Sequence, residues 1–143
     1  METSRLTSPL LQFRATSVVQ DRLDAIEAAY LARDFETFGR ITMQDSNQFH
    51  AVCLDTYPPI FYMNDVSRAI IRLVHVINAH YGRVVAAYTF DAGPNAVLYL
   101  LEKVSDYIML LYRCHVILLL LLFVVTICTY AMLVYYVSMS ILN

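Results

Sequence analysis

The sequence predicts an α+β fold, helices packed on an antiparallel sheet, and three observations carry that reading. Apolar residues recur at helical spacing in three stretches between Val18 and His80. Two short runs rich in β-branched and aromatic residues, Val84 to Phe90 and Ala96 to Leu101, then follow in close succession. Between them Asp91-Ala92-Gly93-Pro94-Asn95 has strong turn chemistry, so the two strands are neighbours joined by a tight loop.

Taken in order, residues 1–17 hold Ser, Thr and Pro among scattered apolar positions without a sustained period, and read as a strand or an irregular lead-in. From Val18 to Arg33, Leu23, Ile26 and Tyr30 recur among Asp, Arg and Glu, the pattern of an amphipathic helix with its apolar stripe toward a core. Asp34 has the character of a helix cap, and Phe35, Phe38 and Ile41 share one face of a second helix. That helix must stop near Tyr57, because Pro58 and Pro59 lack backbone donors and disfavour helical geometry in the residue before them. Over Asn64 to His80, Val66, Ala69, Ile70, Leu73, Val74 and Ile77 form a complete helical stripe, which Gly82 can end in a left-handed turn.

At 143 residues the chain has room for one ordinary domain. It is 59% hydrophobic and 15% charged, against about 45–50% and about 25% for an average soluble domain. The excess lies at one end: no Lys, Arg, Asp or Glu occurs from Cys114 to Leu142. Since about 20 apolar residues cross roughly 30 Å of hydrocarbon, residues 114–142 read as a hydrophobic helix of transmembrane type. The net charge of −2 and the singly spaced arginines argue against a nucleic-acid partner. Cys53, Cys114 and Cys128 fall at spacings that make neither a closed disulfide framework nor a zinc pair, which fits a reducing compartment. Met1 to Leu11 lacks the long apolar core of a secretory signal.

Two stretches are polar where the pattern expects core. Asp45-Ser46-Asn47-Gln48 are poor helix formers inside a helical segment, read either as a helix break or solvated turn, or as a mark of function. Asp91 stands at a strand end beside Gly93, which lets a ligand approach the backbone, and Pro94, which stiffens the turn. A carboxylate there is placed for acid or base work, or for capping loop amides. His50 and Cys53 are one helical turn apart without a second pair to complete a metal site, so both read as core or surface residues. His75 and His80 lie on different helix faces, toward solvent or backbone. With three glycines and no Walker-type loop, the chain has little with which to wrap a nucleotide.

Four stretches together resemble mevalonate diphosphate decarboxylases: Thr7-Ser8-Pro9-Leu10-Leu11, Asp45-Ser46-Asn47-Gln48-Phe49-His50-Ala51, Cys53-Leu54-Asp55-Thr56-Tyr57-Pro58-Pro59-Ile60 and Ala87-Tyr88-Thr89-Phe90-Asp91-Ala92-Gly93-Pro94-Asn95-Ala96. The similarity is colinear from about Glu2 to about Val104 and implies a partial carboxy-terminal domain of the GHMP-kinase superfamily over residues 1–104, with an unrelated hydrophobic tail over 105–143. It implies a lyase of isoprenoid and sterol synthesis, cytosolic and commonly homodimeric. ATP, with magnesium, phosphorylates the tertiary hydroxyl of mevalonate 5-diphosphate, and loss of phosphate and carbon dioxide leaves isopentenyl diphosphate. The family's catalytic aspartate carries onto Asp91, while Gly93, Pro94 and Asn95 become candidates for substrate contact. Ser46, Asn47 and His50 belong to a family motif without an assigned role.

The resemblance also implies what these residues lack. The family's phosphate loop, substrate-binding lysine and cleft arginine belong to sequence before Met1, so this stretch alone is expected to hold no ATP or magnesium and to be inactive. The tail departs from a soluble family. It reads as a membrane anchor with Lys103 and Arg113 on the cytoplasmic side, giving a tail-anchored, non-catalytic protein, or as translated intron or shifted frame, the preferred reading.

Overall fold

The computed structural model of the chain describes residues 2–101 and, within the apolar tail, the backbone of 127–129 and 132–137. Five helices, α1 (Glu2–Thr7), α2 (Pro9–Ser17), α3 (Val19–Leu31), α4 (Phe35–Asp55) and α5 (Asp65–Tyr81), precede strands β1 (Ala86–Phe90), β2 (Ala96–Leu101), β3 (Ile127–Thr129) and β4 (Met132–Val137). The α+β class is as the sequence predicts.

Residues 2–17 are helical, where a strand or an irregular lead-in was expected. Ser8 caps α2 by accepting from the Leu11 amide, and Pro9 takes the first helical position, where a missing N–H costs nothing. Asp55, at the far end of α4, accepts from Ser8 Oγ at 2.6 Å and from the Leu10 amide at 3.2 Å, so a carboxylate 45 residues away seats the start of α2. Helices of 6 and 9 residues are too short to display a period, and the Ser-Pro step was the usable signal.

The α3–α4 joint runs through Asp34 as expected. Its amide closes α3 by donating to Ala29 O at 2.9 Å, across Arg33 at φ 55°, and its side chain then caps α4 by accepting from the Thr37 amide at 3.1 Å. Of the apolar stripe expected to bury α3, Ile26 is half-buried while Leu23 and Tyr30 are exposed, and Ala29 is the buried residue of the helix. Arg22 ties α3 to α4 by donating to Asp45 and Gln48, a polar contact that the apolar pattern does not reveal.

Helix α4 runs unbroken through Asp45–Gln48 and ends at Thr56, one residue before the cis Tyr57–Pro58 peptide. Its approach to the sheet depends on Gly39, where a Cβ would stand 2.9 Å from Val84 Cγ1 and 3.2 Å from Ala87 Cβ. Helix α5 starts at an Asn64/Ser67 capping box, which the sequence reading did not anticipate, and ends as expected at Gly82 with φ 64°. Of its stripe, Val74 and Ile77 are buried and Ile70 is half-buried, while Val66 and Leu73 stay exposed.

The sheet is antiparallel in the order β1-β2-β4-β3. Among the described strands β1 lies at the edge, yet Ala86, Ala87 and Tyr88, with Val85 before them, have no exposed surface, because Met43 of α4 and Val74 and Ile77 of α5 close over them. The strands at 127–129 and 132–137 replace, over those residues, the continuous apolar helix expected for 114–142. Val, Ile, Thr and Tyr fit a pleated sheet, β2 has a free edge to pair, and apolar length alone does not distinguish a buried strand from a span. The rest of that segment lies outside the described residues. Among the described residues, no helix is long and apolar enough to cross a membrane.

Candidate active site

An edge strand leaves every second residue with an amide and a carbonyl that meet no neighbouring strand, and when buried these groups need partners. On β1 the partners are side chains. At its start, Asn78 of α5 accepts from the amides of Val85 and Ala86 at 2.9 and 3.0 Å and donates to Ala86 O at 2.8 Å. At its end, the Phe90 amide donates to Ser46 Oγ at 3.0 Å, and the Phe90 carbonyl lies 3.2 Å from His50 Nε2. A carbonyl only accepts, so Nε2 carries the proton. Burial lowers the His50 pKa below its ordinary 6.5, against the opposing pull of the Phe90 carbonyl and the charge of Asp91.

The polar run inside α4 serves two sides of the helix at once. Ser46, Asn47 and His50 face β1, with Asn47 Oδ1 accepting from the Tyr88 hydroxyl at 2.9 Å. Asp45 and Gln48 face α2 and α3. Arg14 donates to Asp45 Oδ2 at 2.8 Å and Gln48 Oε1 at 2.7 Å, and Arg22 donates to Asp45 Oδ1 at 3.0 Å and Gln48 Oε1 at 2.9 Å. The Arg14 guanidinium first, and Arg22 after it, hold the Asp45 carboxyl below the usual carboxylate range.

Between these two sides opens a cleft of about 320 Å³ lined by Asp45, Ser46, Phe49, Thr89, Phe90, Asp91 and Ala92. Asp91 is exposed at its rim and, among the described residues, its carboxylate makes no ion pair or side-chain hydrogen bond. Its charge helps to hold up the pKa of the Tyr99 phenol on β2, though burial is the larger cause. The loop after it is tied at both ends: the Gly93 amide donates to Asp91 O at 2.8 Å, and Ser67, in the first turn of α5, donates to Pro94 O at 3.3 Å. A Cβ on Gly93 would meet no atom within 4 Å, so the described fold does not itself require glycine there.

Magnesium does not fit these residues alone. Among them no three His, Cys, Asp or Glu side chains gather to hold a metal ion, and Asp45, the second carboxylate in the cleft, is already shared by two arginines.

The structure brings together Asp91 and the Asp45–His50 run, which sequence reasoning singled out separately. Pro94 lies along the same loop, whereas Cys53 is a buried free thiol. His75, expected to face solvent or backbone, is exposed with Nε2 3.4 Å from the Tyr88 hydroxyl, and His80 stacks edge-on against Tyr81. Sequence reading passed over Arg14 and Arg22. The signal available for the α4 partners was spacing, since 45 and 48 share one face and 46 and 50 another.

Fold and cleft define a class: an α+β domain that backs one strand-end carboxylate with helices and presents it to a cleft. Within that class, the chain belongs to the mevalonate 5-diphosphate decarboxylase C-terminal domain family, whose model matches residues 1–117. The diphosphomevalonate decarboxylase of Aspergillus fumigatus is 64% identical over 106 residues, 74% of this chain and 26% of that protein. A crystal structure of mevalonate 5-diphosphate decarboxylase is 48% identical, with a TM-score of 0.74 over 79% of this chain and 29% of that one. Another solved structure, MDDEF in complex with MVAPP, AMPPCP and magnesium, is 25% identical, with a TM-score of 0.67 over 78% of this chain and 33% of that one. The chain spans about a quarter of the length of the curated relatives it matches.

Proposed function

We propose that this chain supplies the carboxy-terminal, base-bearing wall of a diphosphomevalonate decarboxylase site, with Asp91 accepting or orienting the proton of the substrate's tertiary hydroxyl. One observation carries the reading: Asp91 stands at the rim of the cleft without a competing partner among the described residues. A tertiary alcohol is a poor nucleophile, and a carboxylate fixed at a strand end provides both an acceptor for its proton and a defined direction of approach. Gly93, Pro94 and Asn95 follow Asp91 along the same loop, beyond the residues that line the cleft, and are the proposed substrate-facing loop. The complex of a relative with MVAPP, AMPPCP and magnesium supports mevalonate diphosphate and an ATP-type donor as the substrates of the whole enzyme.

Residues 1–143 by themselves are proposed to be inactive, because stabilising charge on a transferring phosphoryl group calls for cationic groups and metal around it. In the described part, Arg14 and Arg22 are committed to Asp45 and Gln48. The strands at 127–129 and 132–137 take from the tail-anchored alternative the continuous helix on which it rested. Two assays test the proposal. The purified 143-residue chain is expected to release no phosphate from ATP in the presence of mevalonate 5-diphosphate; release above a protein-free control overturns the inactivity. A full-length enzyme in which residues 2–101 replace the matching stretch of the Aspergillus fumigatus relative is expected to turn over and to lose about a hundredfold or more in kcat on Asp91→Asn. Retained turnover in that variant removes Asp91 from the reaction.

A further inference from the structure

The geometry points to Ser46 and His50 as positioning residues for Asp91: between them they hold both backbone groups of Phe90, the residue that carries Asp91 into the cleft. This deepens the reading of Asp91 as the base and rests on it. The Phe90 carbonyl belongs to the same peptide unit as the Asp91 amide, so its direction sets the plane from which the Asp91 side chain departs. His50 fixes that plane through Nε2 at 3.2 Å, and Ser46 fixes the preceding peptide unit through the Phe90 amide at 3.0 Å.

Three features separate this arrangement from casual contact. Ser46 and His50 are spaced i and i+4 on α4, which stacks their side chains on one helix face at a separation of about 5–6 Å, suited to the two backbone groups of a single strand residue. Both are 4% exposed, so water does not compete for the two bonds. The His50 ring is itself held edge-on by Phe49 at 5.2 Å and by Tyr62 and Phe90 at 6.3 Å, which leaves the imidazole little freedom to swing. Ser67 on Pro94 O anchors the far side of the loop, so Asp91 is suspended between two fixed points.

Asn78 provides an internal control. It satisfies the outward backbone groups at the other end of the same strand, four residues from Phe90, and touches nothing in the cleft. A merely structural need to cover the edge of β1 would make Asn78 and the Ser46/His50 pair equivalent. A positioning role would not.

The test uses the full-length chimaeric decarboxylase described above, with each variant assayed below its own melting temperature. Ser46→Ala and His50→Phe are expected to lower kcat about ten- to a hundredfold while KM for mevalonate 5-diphosphate stays within about twofold. His50→Gln, which keeps an N–H donor, is expected to recover most of the loss. Asn78→Ser is expected to lower the melting temperature without moving kcat. Should His50→Phe fail to fold, Ser46→Ala and His50→Gln still decide the matter. The proposal is overturned if kcat stays within about twofold in Ser46→Ala and His50→Phe, or falls equally in Asn78→Ser. An inactive Asp91→Asn beside fully active Ser46 and His50 variants would sink the positioning role and leave Asp91 as the base. An active Asp91→Asn would sink the base itself.

Discussion

One turn and a half of α4 presents two polar surfaces, and they differ in how much water they keep. On the β1 side, Ser46 and His50 are 4% exposed, uncharged in the bonds they make, and joined to a single backbone residue. On the α2/α3 side, Asp45 keeps 41% of its side chain exposed and gathers two guanidinium groups. The charged cluster has shorter contacts and full charges, yet the buried neutral pair is the more consequential. Exposed ions regain most of their lost interaction from solvent, whereas a buried amide deprived of its acceptor regains nothing.

The strongest challenge to that comparison is Ser46→Ala. It leaves the Phe90 amide buried without its acceptor and should cost about 1–3 kcal/mol by chemical denaturation. Arg14→Met, on the charged side, should cost about 1 kcal/mol or less once solvent screening is allowed for, and the loss should shrink further in high salt. Equal losses from the two would show that burial does not rank these contacts.

Acid should separate the two surfaces by pH window. The folded state resists protonating His50, while the unfolded chain takes up that proton near 6.5, so the unfolded state binds more protons and stability declines as pH drops below 6.5. His50→Phe should lack this decline. The Asp45 carboxyl is lowered in the folded state, so its contribution persists above 3.8 and is lost as pH falls further; Arg14→Met should weaken that second loss. Thermal melts from pH 8 to pH 3 check both, and a single shared window would refute the separation. The smallest effect is expected at Arg68, which reaches Asp65 at only 2.6 Å but with side chains 52% and 96% exposed. Arg68→Ala should change stability by less than about 0.5 kcal/mol.

Much of this was legible beforehand. The cap at Asp34, the stop before Pro58, the left-handed end at Gly82, both strands and the intervening turn are local, and each depends on neighbours within a few residues. The helical lead-in was missed because helices of two turns show no period, and the strands at 127–129 and 132–137 because an apolar run has the same composition whether it pairs as a strand or spans as a helix. Leu23 and Tyr30 were placed inward by pattern alone, which does not reveal that Arg22 ties α3 to Asp45 and Gln48 of α4.

By itself the sequence determined where the chain coils, turns and extends, and it marked Asp91 and the Asp45–His50 run as unusual, since propensity and turn chemistry act between near neighbours. Only the tertiary structure decided that the two belong to one cleft and which face of α4 serves which partner. Ser46 and His50 meet Phe90 across 44 and 40 residues of chain, and a hydrogen bond over that separation leaves no periodic trace in the residues between.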